Sequence, residues 1–216
     1  MKNTLIKKSL NRILQEIYIK DKIAQGVTVE FGAEPSSKKN FVNFIKKEHS
    51  INVLFSDKYP KNKNTLKEDL EGNLTFDTNS INTTIIFNVL EHVFDIKNAL
   101  LEINRCLNDR NGKIIGSTPF IHRVHGAPKD YNRYTKQYME KILSKTNFKN
   151  IEVKNLGFGP FTSAYTMLFD YLKIIPFLNN IILTIALVFD QTISIFVKTE
   201  LKNIYPITVC FYGEKK

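Results

Sequence analysis

Short apolar runs rich in β-branched and aromatic residues alternate along this chain with segments of helical period, and that alternation restricts it to a layered α/β fold. Residues 27–31, 51–55, 65–70, 84–87, 113–117, 151–156 and 205–212 read as strands, the second ending at Asp57. Between them lie helical patterns. Leu10, Ile13, Leu14 and Ile17 predict a helix over residues 5–25 that stops at Gly26. Ser36 or Ser37 caps a second helix carrying Phe41, Phe44, Ile45 and Glu48. Asp95 caps a third with Ala99, Leu100, Ile103 and Leu107 on one face, Asn111-Gly112 turns into the next strand, and Thr135 caps a fourth helix running to Thr146. Strand–helix–strand units close by right-handed crossovers, so the expectation is a seven-stranded, mainly parallel sheet with helices on both faces.

At 216 residues the chain has room for one such domain, 1–216, with a sizeable core. Residues 159–203 exceed a normal connection and are predicted to be a helical insertion before the last strand. Within it the run from Ile181 to Phe189 is apolar almost all round, reads as too short to span a bilayer, and is set off from the preceding helix by Pro176. Two uses of this insertion stay open: a packed cap or homodimer surface, and a peripheral membrane contact.

The net charge of +10 invites a polyanion partner, but pairs such as Lys7-Lys8, Lys38-Lys39 and Lys46-Lys47 are scattered, and no nucleic-acid partner is expected. Cys106 and Cys210 sit in apolar segments without Cys-x-x-Cys spacing and read as buried thiols. The first residues lack a signal-peptide pattern, so a cytoplasmic location is expected, with the insertion leaving attachment to the inner membrane face open.

Ligands of open parallel sheets collect beyond the carboxyl ends of the strands, which singles out Gly32, Asp57 and residues 88–92. A dinucleotide needs glycines opening onto a helix N-terminus, and no Gly-x-Gly-x-x-Gly occurs here. His122, His125 and Asp130 follow the fifth strand, where an acceptor would sit, and an imidazole there is suited to moving a proton near neutral pH. As a metal site, His122-x-x-His125 lacks an identifiable third ligand, and none is expected.

Residues 85–93, Ile-Ile-Phe-Asn-Val-Leu-Glu-His-Val, followed by an amphipathic helix and then by Pro119-Phe120, His125-Gly126, Pro128, Asp130-Tyr131 and Arg133-Tyr134, resemble the class I S-adenosylmethionine-dependent methyltransferases. The resemblance is to a methyltransferase type 11-like subgroup associated with surface-glycan synthesis, and it covers roughly residues 27–156. It implies a Rossmann-like sheet, S-adenosylmethionine as cofactor, and O-methylation of a small-molecule, sugar or glycan acceptor. By resemblance Glu30 and Gly32 belong to the loop after the first strand, Asp57 to the ribose, Asp69 and Leu70 to the adenine, and Asn88, Val89 and His92 to the methionine and sulfonium, with Glu91 shaping the pocket. His122, His125 and Asp130 are then the candidate catalytic residues, and Arg133 and Tyr134 the candidate substrate contacts. Glu34 and Ser36 stand where the family commonly has glycine. That leaves open a catalytically silent relative kept for binding or assembly, and, from charge and insertion, a peripheral membrane adaptor.

Overall fold

A computed structural model describes residues 8–126 and 128–216. Seven strands form one sheet: β1 (Val27–Phe31), β2 (Asn52–Asp57), β3 (Leu66–Lys67), β4 (Thr83–Phe87), β5 (Lys113–Pro119), β6 (Phe148–Leu156) and β7 (Thr208–Lys215), in the order β3-β2-β1-β4-β5-β7-β6. All neighbours are parallel except β7, which runs antiparallel to both β5 and β6. The strands fall where their apolar runs predict. Successive side chains point to opposite faces, so Ile86 joins one core with the helices α2 (Ile96–Cys106) and α3 (Lys136–Lys145), while Ile85 and Phe87 join another beneath α1 (Leu10–Ile19). Both faces are thereby covered, and both cysteines are buried free thiols.

Three predicted elements differ. The first helix spans only Leu10–Ile19, capped by Ser9, because Ile23–Ala24 leaves it to pair with Lys46–Lys47; the predicted start before residue 8 lies outside the described residues. Gly26 is the turn into β1 rather than a helix stop. Its φ is +53°, and a Cβ there would lie 2.2 Å from the Asn82 Oδ1 that accepts the Val27 N–H. The helix predicted after Ser36 is a single 3-10 turn at Phe41–Asn43. Glu30, buried at the end of β1, accepts the N–H groups of Phe41 (2.7 Å) and Val42 (2.9 Å), while Phe41 stacks on Phe87 at 3.9 Å with the Arg12 guanidinium over its ring. Burial pushes the Glu30 carboxyl up to about 7 against those two bonds.

The insertion is a helical hairpin, α4 (Pro160–Leu172) and α5 (Pro176–Phe196), followed by the short α6 (Leu201–Ile204). Pro176 stands in the first turn of α5, where its missing N–H costs nothing. The expectation that the apolar run falls short of a bilayer is corrected: α5 has 21 residues and is long and apolar enough to cross a membrane. The polar residues that interrupt the run in sequence point inward. Asn179, Leu183, Ala186 and Asp190 form its buried stripe, Asn179 accepts from the Tyr165 hydroxyl at 2.8 Å, and Asp190 caps α4 by accepting from the Phe161 and Thr162 amides (both 2.9 Å) and the Thr162 hydroxyl (2.7 Å).

Asp190→Ala leaves the Phe161 and Thr162 amides without an acceptor, while the Thr162 hydroxyl keeps the Gly159 carbonyl, and a loss of about 2–4 kcal/mol is expected from unsatisfied groups of this kind. Urea denaturation of the variant checks it; a loss under about 0.5 kcal/mol would mean that the cap does not hold the hairpin.

Candidate functional site

Strand order reverses between β1 and β4, and the loops leaving β1, β2 and β4 part there to form a cleft of about 340 Å³. Its floor is tightly made. Gly32 has φ +70°, and a Cβ on it would lie 2.6 Å from Val89 Cγ2, so the loops after β1 and β4 approach as only glycine permits. Asn88, at φ +55°, leaves β4 in the left-handed region. Its side-chain amide exchanges hydrogen bonds with Gln15 of α1, at 2.6 and 3.1 Å.

Asp57 closes β2 at one wall. Its Oδ1 accepts the Tyr59 N–H at 2.8 Å, and its Oδ2 has no hydrogen-bond partner among the described residues. Asp69 and Leu70 also line the cleft. Both Asp69 oxygens are engaged, Oδ1 by the Glu71 N–H and Oδ2 by Lys58 Nζ at 3.0 Å, while Lys58 reaches Glu71 at the same distance. These hydrogen bonds raise the lysine pKa; at Asp69 burial opposes the shift, but the Glu71 amide and Lys58 outweigh it and leave the carboxyl below its ordinary range. Lys58, Tyr59, Glu71, Lys129 and Tyr131 line it as well, and of these only Tyr131 belongs to the motif read in the sequence. Glu30 does not line the cleft, since both its oxygens serve the turn at residues 41–43. Glu34 turns away too, accepting from the Lys61 N–H and the Thr65 hydroxyl.

The opposite wall is the 3-10 turn Leu90–His92, covered by the loop that follows β5. The Tyr131 N–H donates to the Glu91 carbonyl, and His92 Nδ1 lies 2.6 Å from the Lys129 carbonyl. Arg133 grips Asp130 with two bonds of 2.5 and 2.7 Å, and Asp130 Oδ2 accepts the His125 N–H at 2.9 Å and lies 3.4 Å from His125 Nδ1. The Arg133 contact above all holds the Asp130 carboxyl far below its usual range. Burial, with His122 and His92 beside it, lowers the His125 pKa. Arg133 is thus spent on Asp130, and Tyr134 is buried with its hydroxyl donating to the Leu90 carbonyl at 3.4 Å, so both hold the loop where substrate contacts are predicted. The three candidate catalytic residues do come together: the His122 and His125 rings lie 4.7 Å apart, and Asp130 lies 3.4 Å from His125 Nδ1 while holding its backbone N–H. Arg123 ties this loop to the insertion through Asp170, at 2.6 Å.

Glu91 is the residue that the sequence undervalues. Its side chain is completely buried, and neither carboxylate oxygen has a hydrogen-bond partner among the described residues. Burial pushes its pKa up to about 8, against the pull of Arg133.

No family model and no curated protein matches the chain. Solved structures do. Phosphoethanolamine N-methyltransferase 2 of Haemonchus contortus, in complex with phosphomonomethylethanolamine and S-adenosylhomocysteine, superposes with a TM-score of 0.56 at 13% identity over 95% of this chain and 52% of that one. A methyltransferase dependent on S-adenosylmethionine from Thermotoga maritima gives 0.58 at 15% identity over 95% and 89%, and another from Archaeoglobus fulgidus 0.54 at 12% over 94% and 94%. The chain spans about half the length of the Haemonchus enzyme. At such identities the likeness is one of fold: the chain has the fold of the class I methyltransferases dependent on S-adenosylmethionine.

Proposed function

We propose that the protein binds S-adenosylmethionine in the cleft at the β1–β4 switch point and transfers its methyl group to an oxygen of a small sugar or glycan intermediate. The observation that carries this reading is Asp57, a strand-end carboxylate with one oxygen uncommitted at the mouth of a cleft whose floor only glycine can make. One carboxylate can accept from both hydroxyls of a ribose. Leu70 offers an apolar wall to the adenine, and Asn88 and Val89 flank the methionine end. The cleft volume suits a ligand of this size. The cofactor supplies an electrophilic methyl on a sulfonium and carries no phosphate, so the loop after β1 needs no helix N-terminus for an anion.

Alignment of acceptor and methyl at about 3 Å in a water-poor pocket is the main contribution of the chain. The loop after β5 provides the acceptor side. His122, half-buried next to His125 with Nδ1 on the Arg123 carbonyl, takes the acceptor's proton, while the Arg133–Asp130 pair holds the loop by the His125 backbone N–H.

The α4–α5 hairpin supports a location on an anionic membrane surface, where a lipid-linked acceptor would be met. Ile174, Phe177 and Phe196 are 74–82% exposed on its outer side, and the chain carries a net charge of +10.

Isothermal titration with S-adenosylmethionine tests the cofactor. Asp57→Ala is expected to weaken binding by about 1.5–3 kcal/mol, the range for hydrogen bonds to a charged group; unchanged affinity would remove Asp57 from the ribose site, and no wild-type binding at millimolar ligand would favour a silent relative. With an acceptor in hand, His122→Ala is expected to lower kcat about 100-fold while leaving cofactor affinity intact; parallel losses of binding and folding would instead make it structural. In vesicle flotation the protein is expected to rise with anionic vesicles, less so in high salt, and to lose this with Phe177→Ser and Phe196→Ser together. A wild-type protein that ignores anionic vesicles and runs as a dimer would assign the hairpin to self-association.

A further inference from the structure

Three side chains that the sequence scatters over two loops converge on one point beside the cleft. The Nε2 atoms of His92 and His125 lie 3.7 and 4.0 Å from the same oxygen, Glu91 Oε1, and the three ligand atoms all fall within 4.8 Å of one another. In a tetrahedral site with bonds of about 2.0–2.1 Å, neighbouring ligand atoms stand about 3.3 Å apart, so the two Glu91 pairs would close by roughly 0.4 and 0.7 Å and the two imidazoles by up to about 1.5 Å to complete a face.

One of the rings is already oriented for this. His92 Nδ1 is held on the Lys129 carbonyl at 2.6 Å, which makes that nitrogen the donor and leaves the Nε2 lone pair directed at Glu91. His125 Nδ1 lies 3.4 Å from the Asp130 carboxylate without a hydrogen bond to it, and Asp130, fixed by Arg133, accepts the His125 backbone N–H instead. A ligating histidine that gives its other nitrogen to a carbonyl or a carboxylate is the usual outer arrangement of a metal centre. The independent sign is Glu91, a completely buried carboxylate with no hydrogen bond to either oxygen among the described residues, and with Oε1 nearest the two imidazoles. A cation supplies the missing partner.

We propose that Glu91, His92 and His125 bind a divalent transition-metal ion of the zinc type. Two imidazoles and one carboxylate suit Zn²⁺ and Co²⁺ better than Mg²⁺ or Ca²⁺, which prefer all-oxygen shells. Three protein ligands leave a position open, as in catalytic rather than structural sites. His92 lines the cofactor cleft and His125 adjoins His122, so an ion held here would sit beside the proposed methyl-donor site. An acceptor hydroxyl bound there would have its proton acidified by the metal, with His122 to receive it. In this role the ion deepens the methyl-transfer reading, but its binding needs only the three side chains.

The test uses the untagged 216-residue chain, stripped with chelator and titrated with Co²⁺ and then Zn²⁺ without cofactor or acceptor. Expected are one equivalent of Co²⁺ with visible d–d absorption, displacement by Zn²⁺, and about 100-fold weaker binding in Glu91→Gln and in His125→Ala, at the upper end of what even an outer-shell change costs. Circular dichroism and thermal melts of both variants confirm folding, and His125→Ala, in a surface loop, keeps the test usable should Glu91→Gln fail to fold. Absence of stoichiometric Co²⁺, or uptake unchanged in both variants, overturns the proposal. Metal binding by a protein that ignores S-adenosylmethionine would sustain the site and defeat the methyl-transfer reading; the converse would do the reverse.

Discussion

Gln15 is the side chain on which the architecture turns. It is wholly buried in α1, and its Nε2 lies 2.6 Å from Asn88 Oδ1, 2.8 Å from Ser117 Oγ and 3.4 Å from Thr208 Oγ1, while its Oε1 accepts from Asn88. One amide thereby ties the helix ahead of the sheet to the loop leaving β4, to β5 and to β7. Buried polar groups are costly unless matched, so this network fixes a unique seat for α1 where apolar packing alone would accept several. It also holds Asn88 in the left-handed region, and that conformation swings the 3-10 turn carrying Glu91 and His92 over the cleft. The anchor, the strand ends and the candidate site form one connected structure.

Much of this is legible in the residues. Ile85, Ile86 and Phe87 announce a strand buried on both faces, Asp95 and Thr135 cap the helices they precede, and Leu-Glu-His marks the turn at the cleft. The unread parts have a common cause. Ser36 and Phe41 have the spacing of a helix, but two backbone amides there meet the Glu30 carboxylate, a partner 11 and 12 residues back, and long-range hydrogen bonding overrides local preference. Asn179 and Asp190 look like interruptions of an apolar run until α4 is folded against them. In the same way His122 and His125 pair as their spacing suggests, but the tertiary fold also sets His125 beside Glu91 and His92, and no periodicity within one segment carries that information. Gln15 gives no signal at all in the sequence, because only the partners brought by β4, β5 and β7 give it meaning.

Two buried carboxylates illustrate how the molecule divides stability from chemistry. Asp190 is surrounded by donors, three of them at the start of α4, and its charge is fully used in holding a hairpin together. Glu91 is as deeply buried and has no donor at either oxygen among the described residues, a state that folding does not favour for its own sake. Local rules fail in natural proteins mainly where a site must be ready for something else. The contrast separates the scaffold from the working loops without recourse to any relative.

The Arg123–Asp170 contact gives the molecule a mechanical property of its own. The loop carrying His122 and His125 is fastened on its outer side to α4 through this ion pair, whose side chains are 57% and 37% exposed. Exposed pairs of this kind are worth about 0–1 kcal/mol and weaken as salt rises. The fastening is therefore a latch and not a weld. Releasing it would free only the outer side of the loop from α4, because Tyr131, Lys129 and Tyr134 still fasten its inner side to the turn at residues 90–92.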